Sequence, residues 1–544
     1  MIYFIKTNIE KKRITVSLAG IKEMDSEVIL ENILKKLCSF LNSNYKKNDI
    51  KIILSEINLF ASKKIVFKPS NEKLSYLELE NSLFNINEKQ IGRKEKGVYY
   101  TDNDITEYIV EECINHIGIE NFCEKTIFDP TCGSGEFLLT AFKRKIFIND
   151  SLTDKKSIKQ IIKTIYGNDL NKQSIFITKL RILLFLLNEY GIKTIKGISN
   201  TFNQNFTCNN FFDYKPHHKF DVIIGNPPYV EDKSHSIYGN IYADVLSHVC
   251  DCISNDGIIG FIIPLSYVAT PRMVKIRKKI SDNFNTQYLY NYADRPGCLF
   301  TQVHQKLTIL IACKTREKKL ITGNYQYWYN EERNSLFQKQ TNIINQFENE
   351  KFIPKLGTLE DKNIYEKIIN KTVSLNKIIL DSKKNDINNK PSLYLNMRAA
   401  FWIKAFLTKH SGNEYKQFSF ENEEYRNYFY CLLNSSLFWW FWICISDCWH
   451  ITNKEIDNFK IPDSFDSKIV KKLANGLDKK LEKTKKYVGT KQTDYEYKHK
   501  NCLQEIHAID DYINNLFGLN NGENDYIKNY SLVYRTSGGI AKCV

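Results

Sequence analysis

Between Phe220 and Val230 the chain reads FDVIIGNPPYV, an apolar strand that runs directly into Asn226-Pro227-Pro228-Tyr229. Two consecutive prolines stiffen the turn and remove two backbone donors. What projects beyond the strand is therefore a set of acceptors, the Asn226 side-chain oxygen and the Pro227 carbonyl, with the Tyr229 ring beside them. Two acceptors converging on one point suit an exocyclic amino group, and an aromatic face suits the ring that carries it. Read alone, the same tetrapeptide is also a plain Pro-Pro turn capping a strand.

The flanking sequence supplies a frame. Apolar runs at Thr126–Phe128, Thr164–Tyr166, Asp221–Ile224 and Gly257–Ile263 alternate with helical spacing at Leu138–Phe147 and Ser174–Leu187. Strands alternating with helices indicate an α/β unit with a mostly parallel sheet. Lys306–Lys314, KLTILIACK, adds a late strand. Two of the runs end in acids. Phe128–Phe137 reads FDPTCGSGEF, so Asp129 closes a strand and Gly133 and Gly135 open the loop before a helix. Glycines let a ligand approach the backbone, and ligands of such sheets bind beyond the carboxyl ends of the strands. A lone Gly-rich loop serves a dinucleotide, a nucleotide or nothing, and no GxxxxGK[ST] motif is present to indicate a P-loop. Asp129 is placed for a cationic amine. Tyr166–Leu170, YGNDL, ends in Asp169, a candidate for ribose hydroxyls or simply a helix N-cap.

Composition narrows the class. The 544 residues correspond to about three or four domain-sized units, and 42% hydrophobic content excludes a wholly disordered chain. A net charge of +15 makes nucleic acid a natural partner. The 14 cysteines include no C-x-x-C pair. Cys444, Cys448 and His450 are not repeated as a second ligand pair, so no metal is expected and reduced cytosolic thiols are. The N-terminal MIYFIKTNIEKKR lacks a secretory pattern. The longest apolar stretch, Leu432–Ile445, falls short of a membrane span. These features lead to the expectation of a cytoplasmic protein without a membrane partner.

Three regions are expected. Residues 1–92 mix β-like runs (Ile52–Leu54, Lys64–Phe67) with a helical segment, Glu27–Leu41, and end near the charged joint GRKEKG. Residues 93–325 form the α/β unit. Residues 326–544 carry longer helices and clustered aromatics, among which Leu437–Trp442 reads as core.

The order GVYYT (Gly97–Thr101), DPTCGSGEF, NPPY, followed by a long C-terminal region, resembles the gamma class of N6-adenine DNA methyltransferases of restriction–modification type. YFYCLLNSSLFWWFW, SDCWHITNKEIDNFKIP and HAIDDYINNLFGLN look like the recognition-domain segments and closing helix of the same proteins. The resemblance implies a Rossmann-like S-adenosylmethionine-dependent catalytic domain, a C-terminal α+β target recognition domain and a small N-terminal region. It implies that Tyr100 and Thr101 sit near the methionine moiety, that Asp129 takes its amino group, and that Cys132, Gly133 and Gly135 line the loop. Asp169 would hold the ribose, and Asn210 and Phe211 would meet the adenine. Asn226, Pro227, Pro228 and Tyr229 would be catalytic, with Tyr229 and Phe300 (in GCLFTQV) stacking on the target base. Two positions depart from the pattern. Asp102 stands where the family has Pro, and Asn210 where it has Asp, so the acceptor for the adenine amino group loses its charge. Implied partners are double-stranded DNA, contacted through candidates such as Arg398, Lys404 and Lys409, and a separate restriction endonuclease or specificity subunit. Residues 1–90 show no nuclease carboxylate cluster. Methyltransferases of RNA bases or of protein glutamine share NPPY, and a catalytically idle DNA-binding subunit could keep the fold.

Overall fold

The computed structural model describes residues 28, 30–68, 72–86, 101–149, 155–300, 303–347, 349–381, 389–410, 414–489 and 495–536. They divide into two compact units. The first comprises residues up to Ile263 with Lys275–Gln287 and Ile309–Lys318; the second comprises Pro264–Val274, Tyr288–Thr308 and everything from Lys319.

The first unit is built on strands β1 (Ile127–Asp129), β2 (Ile165–Asn168), β3 (Phe206–Thr207), β4 (Phe220–Gly225), β5 (Ile253–Pro264) and β7 (Leu307–Cys313), in the order β3-β2-β1-β4-β5-β7. The pairs β1–β2, β1–β4, β2–β3 and β4–β5 are all parallel. Buried on both faces, most of these strands read as apolar runs, which made them legible, whereas the two-residue β3 was not read from the sequence. Connections after β1 run outward in one direction and β4–β5 extend in the other. The sheet therefore has a switch point between β1 and β4, where loops at the carboxyl ends diverge and leave a crevice.

The expected strand Ile52–Leu54 is instead part of the helix Lys47–Asn58. Ile50, Ile53, Leu54 and Ile57 are its buried apolar residues, a spacing of 3, 4 and 7 that outweighs the short β-branched run. Lys64–Phe67 forms no strand, whereas residues 30–44 are helical, in line with the segment read from Glu27 to Leu41. These N-terminal elements pack into the first unit. Glu56 accepts from the Gly197 N–H at 2.6 Å and the Ser199 hydroxyl at 2.8 Å, and both Glu56 and Ser199 are buried.

The second unit holds most of β6 (Thr286–Tyr292), then β8 (Lys319–Gln326) and β9 (Ile343–Ile344), with β8 and β9 antiparallel. A separate antiparallel sheet places Ser392–Asn396 between Lys404–Phe406 and Tyr415–Ser419. Against it lies the helix Glu423–Asn434, on which the helices Ser436–Ile445, Ser467–Thr484 and Leu503–Phe517 pack in turn. Leu437–Trp442 is fully buried, as its reading as core required. Leu503–Phe517 stops at Gly518, whose φ of 77° gives the left-handed cap that glycine favours. Among the described residues no single helix is long and apolar enough to cross a membrane.

Candidate active site

The site grows from the carboxyl ends of β1, β2 and β4. Asp129 is the last residue of β1 and is almost inaccessible. Its carboxylate accepts the Thr131 N–H at 3.0 Å. Gly225 ends β4 directly alongside, and a Cβ there would stand 2.8 Å from the Asp129 carboxylate oxygen. Glycine at 225 thus makes room for the acid at the switch point. Burial raises the Asp129 carboxyl well above the ordinary carboxylate range, and the neighbouring Asp169 charge raises it further. Such a carboxyl favours a cationic partner that restores its charge.

The loop after β1 is fixed from below by its own backbone. The Cys132 N–H donates to the Asn168 carbonyl at 2.9 Å and the Gly135 N–H to the Cys132 carbonyl at 2.8 Å. The Gly133 N–H donates to the Asp169 carboxylate at 2.9 Å. Thr178, on the helix Lys172–Tyr190, donates its hydroxyl to the Gly133 carbonyl at 2.9 Å. Gly133 and Gly135 both have positive φ, 52° and 86°. A Cβ on Gly135 would collide with the Thr178 side chain at 2.5 Å, while one on Gly133 would meet nothing within 4 Å. The two glycines do different work. Gly135 permits close packing inward, and Gly133 borders open space.

Asp169 also accepts from the Asn171 N–H at 2.8 Å, so both its oxygens already orient the start of the following helix and the glycine loop. Burial raises its carboxyl as well. Asn168, one position earlier, is a functional residue the sequence reading passed over. Its buried amide donates to the Pro130 and Asn209 carbonyls at 3.1 and 3.0 Å and accepts from the Thr207 hydroxyl at 2.8 Å. It ties the turns after β1 and β3 to the end of β2. The only sequence signal was an Asn immediately before a strand-end acid.

Asn210 is exposed and caps the short 3-10 turn Phe211–Asp213, its amide oxygen accepting the Phe212 N–H at 3.3 Å. Phe211 is buried, with His248 edge-on at 4.7 Å and Phe128 at 6.1 Å between ring centres. Cys132 is buried under the loop.

At β4 the Asn226 amide nitrogen donates to the Thr101 hydroxyl at 3.0 Å, across 125 positions of sequence. That bond orients the side chain, because a group that spends its N–H on Thr101 turns its oxygen the other way. Thr101 is buried. Asp102, where a proline was expected, occupies the N-cap position of the helix Asn103–Ile117, its carbonyl accepting from Ile105 and Thr106. Tyr229 is half-buried and anchored through its hydroxyl to the Ile262 carbonyl at 2.9 Å, with Tyr242 edge-on at 6.4 Å. Anchoring the tip fixes the ring plane. Tyr100 lies outside the described residues. Phe300 belongs to the second unit, where it is buried and bridged to Val303.

The structure thus gathers Thr101, Asp129, Cys132, Gly133, Gly135, Asp169 and Asn226-Pro227-Pro228-Tyr229 around one end of one sheet. The donor set fits S-adenosylmethionine: a buried carboxylate for an ammonium, a second for hydroxyls, and open space over Gly133. Of the cationic candidates in the second unit, Arg398 is paired with Glu414 at 2.9 Å, Lys404 is half-buried with its ammonium destabilised by desolvation, and Lys409 is exposed.

Residues 163–297 match the family model described as Eco57I restriction-modification methylase. The type II methyltransferase M.BanIII of Aneurinibacillus aneurinilyticus is 26% identical over 234 residues, which are 38% of this chain and 37% of that protein. The adenine-specific methyltransferase PglX of Streptomyces coelicolor is 27% identical over 115 residues, 20% of this chain and 10% of its own length. This chain therefore spans well under half the length of these relatives. Among solved structures, the type IIL restriction-modification enzyme MmeI in complex with DNA shares the fold over 96% of this chain and 97% of its own, with a TM-score of 0.52 at 12% identity. What the two share is a fold; in this chain the pairs β1–β2, β1–β4, β2–β3 and β4–β5 of the central sheet are parallel.

Proposed function

We propose that this chain, whose residues 163–297 match the Eco57I restriction-modification methylase model, is the DNA-modifying methyltransferase of a restriction–modification system. It would methylate the N6 amino group of an adenine turned out of double-stranded DNA, using S-adenosylmethionine. The observation that carries this reading is the Asn226 amide, oriented by Thr101 beyond β4 and set beside the buried Asp129 at the switch point.

Asp129 would hold the cofactor's ammonium, Asp169 its ribose, and Tyr100, Thr101, Cys132, Gly133 and Gly135 would line its methionine end. Asn210 and Phe211 would flank its adenine. Bound there, S-adenosylmethionine supplies an electrophilic methyl group. The chain's own contribution is to prepare the nucleophile. An adenine amino nitrogen is a poor one because its lone pair is delocalised into the ring. The Asn226 oxygen and the Pro227 carbonyl would each accept one of its N–H bonds, drawing the nitrogen towards sp³ and freeing that pair. Pro228 keeps the turn rigid, so the acceptors need no reorganisation during reaction. Turning a base out of the duplex costs a few kcal/mol. Stacking on Tyr229, at about 1–3 kcal/mol per base, offsets much of that.

Residues 93–325 would form the catalytic domain and residues 326–544 the target recognition domain that clamps DNA, partnered with a separate restriction endonuclease or specificity subunit. The test is incubation with labelled S-adenosylmethionine and unmethylated DNA, then nucleoside digestion and mass spectrometry. N6-methyladenine is expected. N4-methylcytosine would keep the mechanism and change the base. Cofactor binding with label transferred only to RNA or to a protein glutamine would overturn the DNA assignment, and absence of any cofactor binding would favour an idle subunit.

A further inference from the structure

Three consecutive carbonyls of the glycine loop are held inward. Those of Cys132 and Gly133 are engaged by the Gly135 N–H and the Thr178 hydroxyl, at 2.8 and 2.9 Å. The third, Ser134, accepts from Arg181 Nη1 at 2.8 Å. Arg181 follows Thr178 by one helical turn on Lys172–Tyr190, so one helix face grips two successive carbonyls. The guanidinium is almost completely buried. It pairs with Glu136, the first residue of the helix after the loop, with Nη2 at 3.0 Å from Oε2 and Nη1 on Oε1. It also pairs with Glu80, whose Oε1 lies 2.9 Å from Nε and 2.7 Å from Nη2. Glu80 comes from the helix Tyr76–Ile86, 101 positions earlier and outside the α/β frame.

We propose that the N-terminal helix Tyr76–Ile86 positions the cofactor loop through Glu80 and Arg181. This gives the helix Tyr76–Ile86 a part in cofactor affinity, and it rests on the methyltransferase reading above. A planar guanidinium has five donors in a fixed fork. Here the fork is divided among a loop carbonyl, the carboxylate at the start of the loop's helix and a carboxylate from the N-terminal helix. Each acceptor restricts the angle available to the others, so Glu80 fixes the plane from which Nη1 reaches Ser134. A buried ion pair of this kind adds little net stability against desolvation and is instead suited to specifying one geometry. Glu80 and Arg181 are positioning residues. Neither would touch the cofactor.

The test is calorimetric binding of S-adenosylmethionine to the full chain and to Glu80→Gln, with steady-state methylation and thermal unfolding alongside. Gln preserves shape and one acceptor oxygen but removes the charge. The expected result is that Glu80→Gln weakens cofactor binding by about tenfold, equivalent to about 1.4 kcal/mol. The cofactor KM should rise in step, while kcat at saturating cofactor and the KM for DNA stay within about twofold. Glu80→Asp, which keeps the charge, should recover part of the affinity. Unchanged cofactor binding in Glu80→Gln, with or without a lower unfolding midpoint, would overturn the proposal and leave the network a purely structural brace. A wild-type chain that bound no S-adenosylmethionine would overturn the underlying methyltransferase reading itself.

Discussion

Asp129 and Asn226 act in opposite chemical senses at one point of the sheet. Asp129 is a charge made costly by burial, and Asn226 is a neutral acceptor made directional by Thr101. The raised Asp129 carboxyl has a consequence with a definite sign. Without ligand it keeps its proton to higher pH than an ordinary carboxyl, and an ammonium binds only the ionised form. Cofactor affinity therefore rises as pH climbs through that raised value and then levels off. Titrating cofactor binding against pH, upward from the ordinary carboxylate range, should show this rise. Asp129→Asn should flatten it and weaken binding by about 1.5–3 kcal/mol, the usual loss of a charge-assisted bond. Both residues were legible because each sits within a contiguous motif. Thr101 as the partner of Asn226 was not, because nothing in the sequence links positions 125 apart. Asn168 was hidden for another reason. Its role lies in four simultaneous bonds to two different turns, which no local pattern encodes.

At the scale of elements, the parallel strands announced themselves through apolar runs, and the helix Lys47–Asn58 did not, because three adjacent apolar residues mask a helical period unless the window is widened. The glycine loop shows what an element-level reading adds. Gly135 is required by its left-handed φ and by the Thr178 side chain 2.5 Å from where a Cβ would be. Gly135→Ala should cost about 1–2 kcal/mol from the backbone conformation alone and push the loop off Thr178. Thermal unfolding and cofactor binding should both deteriorate. Gly133→Ala carries the backbone cost without the collision, since nothing lies within 4 Å of its Cβ. It should therefore lower stability less and weaken binding by intruding on the ligand's side. Measuring the two variants side by side separates packing from ligand space.

For the molecule as a whole, the chain passes between its two compact units several times between Ile263 and Lys319, so no single linker marks the division and composition could not place it. The buried aromatic run Leu437–Trp442 shows that the second unit has a core of its own. Aromatic clustering there was legible as packing, whereas the recognition surface was not, because base readout depends on side-chain placement relative to DNA. The net charge of +15 predicts a strongly salt-dependent association with DNA. With six to ten phosphate contacts, affinity should fall by about 10³–10⁵ between 50 and 200 mM salt. Cofactor affinity, carried by buried groups, should change little over the same range. Filter binding and calorimetry at matched salt would show the two curves diverging. The most direct measurement of the central claim is methyl transfer by Asn226→Ala, read by nucleoside mass spectrometry alongside calorimetric S-adenosylmethionine binding. Transfer should fall by at least about a hundredfold, the loss expected on removing one preorganised transition-state acceptor, with cofactor affinity unchanged. Methylation of DNA by that variant at the wild-type rate would contradict the account.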